Sequence, residues 1–233
     1  MMLLRRRAMM GAKVLNLDGR LGGLAVGSEV KLTVSSAQRT FLVVHQGNPD
    51  PANYINANGT WLWEKGLPAT LAWNSAYASY DNCVPDQYIL QNYLNLLDPA
   101  IQEQLMTVTI PYVLNGAVQS GASGLARKGF ILSAYEMGWT VDNHAGMGVD
   151  GVCLDYFKGF SDTDSRRTKR ANNNPFPYWT RSNHLTNTAQ VWVVSAAGGT
   201  ATIAKTTQLG VAPALVLPKT LPVDEGGNVG VDE

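Results

Sequence analysis

The sequence predicts an α+β fold, with short antiparallel strands at both ends of the chain and two helices between them. Three observations carry this. Alternating or uniformly apolar segments occur before residue 48 and again from residue 129 onward, helical spacing occurs only between residues 86 and 106, and 23 glycines and 11 prolines among 233 residues mark long aperiodic connections. Strands, then helices, then strands again is the order of an α+β domain. A hydrophobic content of 45% is enough for one sizeable core.

Residues 1–27 are expected to be an arm, because Gly19, Gly22, Gly23 and Gly27 disfavour helix and strand. Glu29 to Val34 alternates polar and apolar, the period of a half-buried strand, and Thr40 to His45 is the apolar run of a central one. Ser35 to Arg39 is the hairpin between them, and Pro49 and Pro51 end the second strand. Residues 48–85 look irregular, with Asn58-Gly59 as a tight turn. They carry Trp61, Trp63, Trp73, Tyr77 and Tyr80, so this stretch is expected to fold back on the core.

Leu90, Tyr93, Leu94 and Leu97 share one helical face, with Asp86 as the expected N-cap. Asp98-Pro99 starts a second helix, to about Met106. Thr107 to Ile110 alternates as a strand, residues 115–128 read as an exposed Gly/Ser loop, and Gly129 to Ser133 is a short strand. Residues 138–177 show no periodicity, and loops of that length are uncommon and often functional. Strands return at 178–182, 190–194 and 214–217, with Gly198-Gly199 as a turn and Pro218 as a stop. Together the strands suggest one small antiparallel sheet.

Lys plus Arg and Asp plus Glu are 18 each, and charged residues are only 15% of the chain. A neutral chain lacks the basic footprint of a general nucleic-acid binder. The charge is unevenly placed: Arg5, Arg6, Arg7 and Lys13 lie at one end, and Asp224, Glu225, Asp232 and Glu233 at the other. Solvated tails are one reading, and arms that dock on neighbouring subunits are the other. The apolar run Ala8 to Ala12 is too short for a secretory signal, and no stretch reaches the length of a membrane span, so a soluble, cytosolically made protein is expected. Cys83 and Cys153 form no metal-site spacing and are expected as free thiols, a single disulfide being the alternative.

Signatures for enzymes are scarce. There is no GxSxG, HExxH or P-loop. His45 sits in an apolar strand and reads as a core residue. His144 lies near Asp142, Asp150 and Asp155, at no known cation-loop spacing. No catalytic residue, metal or cofactor is expected. A polysaccharide-acting enzyme would need a carboxylate pair in a cleft, with Glu136, Asp142, Asp150 and Asp155 as its candidates.

The segment 169–190 is the most informative. Asn172, Asn173, Asn174, Tyr178, Asn183, His184 and Asn187 combine uncharged amides with aromatic surface, a composition that suits recognition of a sugar or a protein. The competing reading is a polar loop around a structural strand, with Trp179 in the core and Arg181 pinned to a carboxylate such as Glu136.

The order of motifs resembles a domain family of phages and of surface proteins of gut Firmicutes. The motifs are Phe41 to Gly47, Thr60-Trp61-Leu62, Phe130 to Glu136, Tyr178 to Ser182 and Gly210 to Pro218. The resemblance spans roughly residues 28–220. It implies a C-type-lectin-like fold with small twisted antiparallel sheets, two helices and long loops, as in formylglycine-generating enzymes and phage receptor-binding proteins. It makes Trp61, Glu136, Trp179, Arg181, Trp192 and Pro213 structural positions. Asn183 replaces a Pro usual after Arg-Ser, and Ala212 replaces an Arg usual before Pro213. The calcium-lectin motifs are absent, and the cysteines match no formylglycine-enzyme motif. The resemblance implies a bacteriophage virion protein, a tail or head appendage, fibre or decoration. In it, residues 1–27 anchor to other virion proteins, 28–220 form the lectin-like domain and 221–233 form an acidic tail. The loops at about 138–176 and 183–189 would face outward to meet a host-surface glycan or protein, in a homo-oligomer for which a trimer suits an appendage. A purely structural decoration or tail-assembly protein, with those loops buried between subunits, is the alternative, followed by a bacterial adhesin.

Overall fold

A computed structural model describes residues 19–74 and 78–230. The arm cations Arg5, Arg6, Arg7 and Lys13, together with Tyr77, Asp232 and Glu233, lie outside the described residues.

The fold is α+β, mostly small antiparallel sheets with few helices. In chain order the strands are β1 (Glu29–Val34), β2 (Ala37–Gly47), β3 (Gly59–Glu64), β4 (Ala69–Ala72), β5 (Val108–Ile110), β6 (Tyr112–Leu114), β7 (Ala117–Gln119) and β8 (Leu125–Arg127). There follow β9 (Gly129–Ile131), β10 (Lys169–Ala171), β11 (Asn174–Phe176), β12 (Tyr178–Asn183), β13 (Gln190–Val194), β14 (Thr200–Ala204), β15 (Gln208–Val211) and β16 (Pro213–Leu217). The single small sheet expected from the sequence is replaced by two five-stranded sheets, ordered β1-β2-β3-β16-β9 and β14-β13-β12-β15-β4, with three two-stranded ribbons beside them. Among the described residues the named strands pair antiparallel except β12 with β15, where Tyr178 meets Gly210, and an isolated parallel bridge joins Lys31 to Asn228.

β1 alternates exposed and buried, as its sequence period requires. The hairpin to β2 turns on Ser35 and Ser36, both with positive φ (50° and 61°). This two-residue turn matches strand twist, and it lets β2 begin two residues before the Arg39 boundary expected from the sequence.

Asn58-Gly59 is not a turn. Gly59 opens β3, which is buried at every position. A Cβ on Gly59 would stand 2.5 Å from Val216 Cγ1 and 2.6 Å from Leu217 O. The glycine is there for the close approach of β16, and β3 is a central strand because both of its faces are covered.

Helix α1 (Val84–Tyr88) continues through a π-turn at Ile89–Tyr93 and a 3-10 turn at Leu94–Leu96. Its N-cap is Cys83, whose Sγ accepts from Asp86 N at 3.4 Å. Asp86, the expected cap, is buried in the first turn and forks onto Arg127 at 3.0 and 2.8 Å. Helix α2 (Pro99–Gln104) starts as expected, with Asp98 Oδ1 accepting from Ala100 N at 2.9 Å.

Two stretches expected to be loop are more ordered. Residues 115–128 hold β7, β8 and a 3-10 turn, and Asn115-Gly116 supplies the positive-φ hairpin turn. Residues 138–177 wind through the core and bury Trp139, Met147, Asp150, Leu154, Phe157, Arg167 and Lys169. Two 3-10 turns, Asp155–Phe157 and Ser165–Arg167, and the β10–β11 hairpin lie within them. Aromatic rings join the sheets where Trp63 of β3 meets Tyr178 of β12 at 6.1 Å, and within the second sheet Trp73, just after β4, meets Trp179 of β12 edge-on at 5.5 Å.

Residues 19–27 and 221–230 run along the domain. Leu21 is buried, its N–H donates to Leu221 O at 2.9 Å, and Val223 N donates to Gly19 O at 2.7 Å.

Candidate recognition groove and the frame beneath it

β12 is the strand that positions everything else. All six of its residues are buried. At its centre Arg181, fully buried, donates all five of its N–H bonds: to Pro111 O (2.7 Å), Ile131 O (3.1 Å), Asp150 O (3.1 Å) and both oxygens of Glu136 (2.6 and 2.5 Å). Glu136 also accepts from Tyr54 Oη (2.7 Å) and Ser133 N (2.9 Å). The partner named for Arg181 from the sequence is the one it meets. Burial disfavours the charge on Arg181, but Glu136 outweighs it and raises the guanidinium pKa. Ser182 Oγ donates to Asp150 Oδ2 at 2.7 Å, while Asp150 Oδ1 has no partner among the described residues. Burial pushes Asp150 up to about 6, against the pull of Arg181 and Ser182. Glu136 and Asp150, two of the carboxylates considered for catalysis, thus belong to one interior network that ties β12 to β9 and to the 133–151 segment.

The other structural positions behave alike. Trp61 donates to Gly47 O and Ala57 O (3.0 and 3.1 Å), Trp179 donates to Leu71 O (2.8 Å), and Pro213 opens β16, where its missing N–H is tolerated.

The residues expected to bind a ligand separate into two groups at opposite ends of β12, about 17 Å of strand apart. Tyr178 is buried and its hydroxyl donates to Arg167 O at 2.6 Å, so it cannot face a ligand. Asn183 is also buried, at 5% exposure, and neither amide atom has a partner. His184 stacks on Trp192 (5.7 Å, 7° between planes), and its Nδ1 accepts from Thr186 N and Asn187 N at 3.3 and 3.1 Å. Asn187 Oδ1 accepts from Ala189 N at 3.2 Å. His184 and Asn187 therefore shape their own loop. Asn172 and Asn173 form the tip of the β10–β11 hairpin, with positive φ at both (49° and 67°), a conformation asparagine tolerates. Turn geometry explains their identity, and it leaves their side chains and that of Asn174 exposed.

At the foot of that hairpin lies a groove of ≈ 560 Å³ between Gln38-Arg39-Thr40, Glu64-Lys65-Gly66 and Thr168-Lys169-Arg170. It adjoins a second hollow of ≈ 290 Å³ lined by Glu29, Trp63, Lys65, Tyr156, Arg166 and Lys169, among others. Sequence reasoning missed this site, because its cations come from three separate segments and carry no spacing signal. Arg39 is exposed, and its side chain makes no hydrogen bond or ion pair among the described residues, Glu64 acting on it only from farther away. Arg170 Nη1 donates to Asn173 O at 2.6 Å and meets no carboxylate among the described residues. Lys65 pairs with Glu29 at 2.5 Å, and Arg166 with Asp164 at 2.6 Å.

The floor is Lys169, 3% exposed, whose Nζ lies 3.4 Å over the Trp63 ring and donates to the Glu64 carbonyl. Burial drives its pKa well below the usual lysine range, while Glu64 acts in the opposite sense. Burial raises Glu64 against the Tyr93 hydroxyl, which donates to its Oε2 at 2.6 Å. Glu64 Oε1 and Trp63 Nε1 are both buried without a hydrogen-bond partner.

Among the described residues, no group of three or more His, Cys, Asp or Glu is placed to hold a metal ion. No helix there is long and apolar enough to cross a membrane. Cys83 and Cys153 are free.

Residues 58–219 match the model of a family described as a domain of unknown function (DUF6273), and the chain belongs to that family. No curated protein and no solved structure matches it.

Proposed function

We propose that the chain is a bacteriophage virion component, a tail or head appendage, whose C-type-lectin-like domain recognises a host-surface glycan or protein. One observation supports the recognition role above the others. Arg39 and Arg170, with no carboxylate within ion-pair distance among the described residues, line one open groove at the foot of a hairpin whose asparagine tip is exposed. The virion setting rests on the motif resemblance and on the near-absence of net charge, which suits a subunit packed among copies of itself.

The test is binding of the purified chain to intact candidate host cells, beside a variant carrying Asn172→Gly, Asn173→Gly and Asn174→Ala. Glycine keeps the left-handed turn that alanine would strain. Loss of binding by a variant with an unchanged melting curve supports the reading. Undiminished binding removes the hairpin from it.

A second reading, decoration or tail assembly without a ligand, is favoured by β14. Thr200 to Ala204 is an uncharged outer strand of the second sheet, a template on which another copy can pair. A chain that binds no cells but forms a defined oligomer, lost on Thr202→Pro, selects this reading.

A further inference from the structure

We propose that the groove between β2–β3 and the β10–β11 hairpin binds an anionic saccharide, its acid group held between Arg39 and Arg170 and its hydroxyls on the polar rim. This deepens the recognition reading above and rests on it.

The charge count comes first. Of the cations around the groove, Lys65 and Arg166 are neutralised by Glu29 and Asp164. Arg39 and Arg170 have no carboxylate within ion-pair distance among the described residues, and Glu64, buried in the same wall, acts on Arg39 only from farther away. Two guanidiniums facing one hollow repel each other unless an anion lies between them, and each offers the planar fork that fits a carboxylate or phosphate. Arg170 is held in place by its bond to Asn173 O, so less entropy is lost when it grips a ligand.

The wall chemistry comes second. Trp63 Nε1 is a buried donor and Glu64 Oε1 a buried acceptor, and both lack partners. Buried polar groups are seldom left so. Trp63 lines one hollow and Glu64 the other, with Lys65 and Lys169 common to both. A ligand with several hydroxyls finds donors and acceptors on the polar rim, with Trp63 Nε1 and Glu64 Oε1 lying just beneath the surface. A simple inorganic anion meets only the charge. The rim adds Gln38 and Thr40, uncharged groups of the sort that grip sugar hydroxyls.

Two sources share this chemistry: a uronic-acid polysaccharide and a polyol-phosphate polymer. Calorimetric titration of the full chain therefore uses four probes: a galacturonate tetrasaccharide, a glycerol-phosphate tetramer, a neutral galactose tetrasaccharide and a tetraglutamate peptide. One of the first two is expected to bind at least about tenfold more tightly than the others, with affinity falling as salt rises from about 0.05 to 0.5 M. Arg39→Gln with Arg170→Gln, both at exposed positions, should cost about tenfold or more on that probe and leave the unfolding midpoint unchanged. The tighter of the two acidic probes names the source.

Equal binding of the peptide overturns the saccharide half of the proposal, and equal binding of the neutral sugar overturns the anionic half. So does an arginine variant that binds normally. If no probe binds while the chain still attaches to cells, the anion-binding role of the groove is wrong and the recognition reading stands. If it neither binds nor attaches, both fail.

Discussion

Arg181→Lys keeps the charge of the buried pair and removes its geometry. Arg181 meets five acceptors: two oxygens of Glu136 and the carbonyls of Pro111, Ile131 and Asp150, all within 2.5 to 3.1 Å. An ammonium has three N–H bonds, so at least two of the five charge-assisted bonds are lost in a site with no exposure. Each such bond lost in a buried site costs roughly 1–3 kcal/mol, which puts the loss at about 2–6 kcal/mol. That is a large part of the 5–15 kcal/mol usual for a folded domain. For a chain of this size it corresponds to a fall of about 4–24 °C in melting temperature. Urea unfolding followed by tryptophan fluorescence at pH 7 measures it, with Glu136→Gln alongside. Glu136→Gln uncovers a buried charge and is expected to cost about 3–5 kcal/mol. If Arg181→Lys falls within 1 kcal/mol of the parent, the charge alone suffices, and the claim that β12 is held by a saturated fork is wrong.

Other expectations follow from single residues. Asp150 has its pKa raised to about 6 in the folded state, so folding takes up a proton between roughly pH 4 and 6. Stability therefore falls as pH rises through that window, by about 3 kcal/mol in total, and the difference between Asp150→Asn and the parent in urea midpoints against pH should show it. Asn183→Val removes a buried amide without partners and is expected to be neutral or to stabilise by about 1 kcal/mol, read from the thermal midpoint. Gly59→Ala pushes a methyl into Val216 and Leu217 and should cost about 1–3 kcal/mol in the same assay. Cys83→Ala loses the cap of α1 and should cost about 1 kcal/mol, whereas Cys83→Ser, which restores an acceptor, should cost less in denaturant titration.

Those elements whose reason is local could be read from the sequence. Glu29 to Val34 alternates because one face is wet, and Asp98-Pro99 carries its cap and first-turn proline in adjacent residues. The segment 138–177 could not be read. Its buried groups include Asp150, Arg167 and Lys169, which have no hydrophobic period. Arg167 is held inside by carbonyls of Met137 and Ser161 and by the rings of Trp139 and Phe160, partners that no window of sequence displays. Gly59 misled for a related reason: Asn-Gly signals a turn only when the glycine is needed for its φ, and here it is needed for its missing side chain. In the candidate site, the Asn172–Asn174 run was visible as composition, but Arg39 comes beside Arg170 only because Lys169, at the foot of the β10–β11 hairpin, packs on Trp63 and Glu64 of β3. Tyr178 and Asn183 carried the right residue types and face the wrong way, because every position of β12 is covered on both sides.

The pairing of residues 19–22 with 219–223 has a mechanical consequence. The two segments run antiparallel, joined at Gly19–Val223, Leu21–Leu221 and Gly22–Lys219. Beyond Val223 the chain turns back at Asp224–Gly227, and Gly227 and Val229 bond to Lys31 of β1. A load arriving along the C-terminal segment therefore meets the outer strand of the first sheet before it reaches the pairing at Gly19. The segment acts as a clasp: it must let go of β1 before the pairing at Gly19 can open.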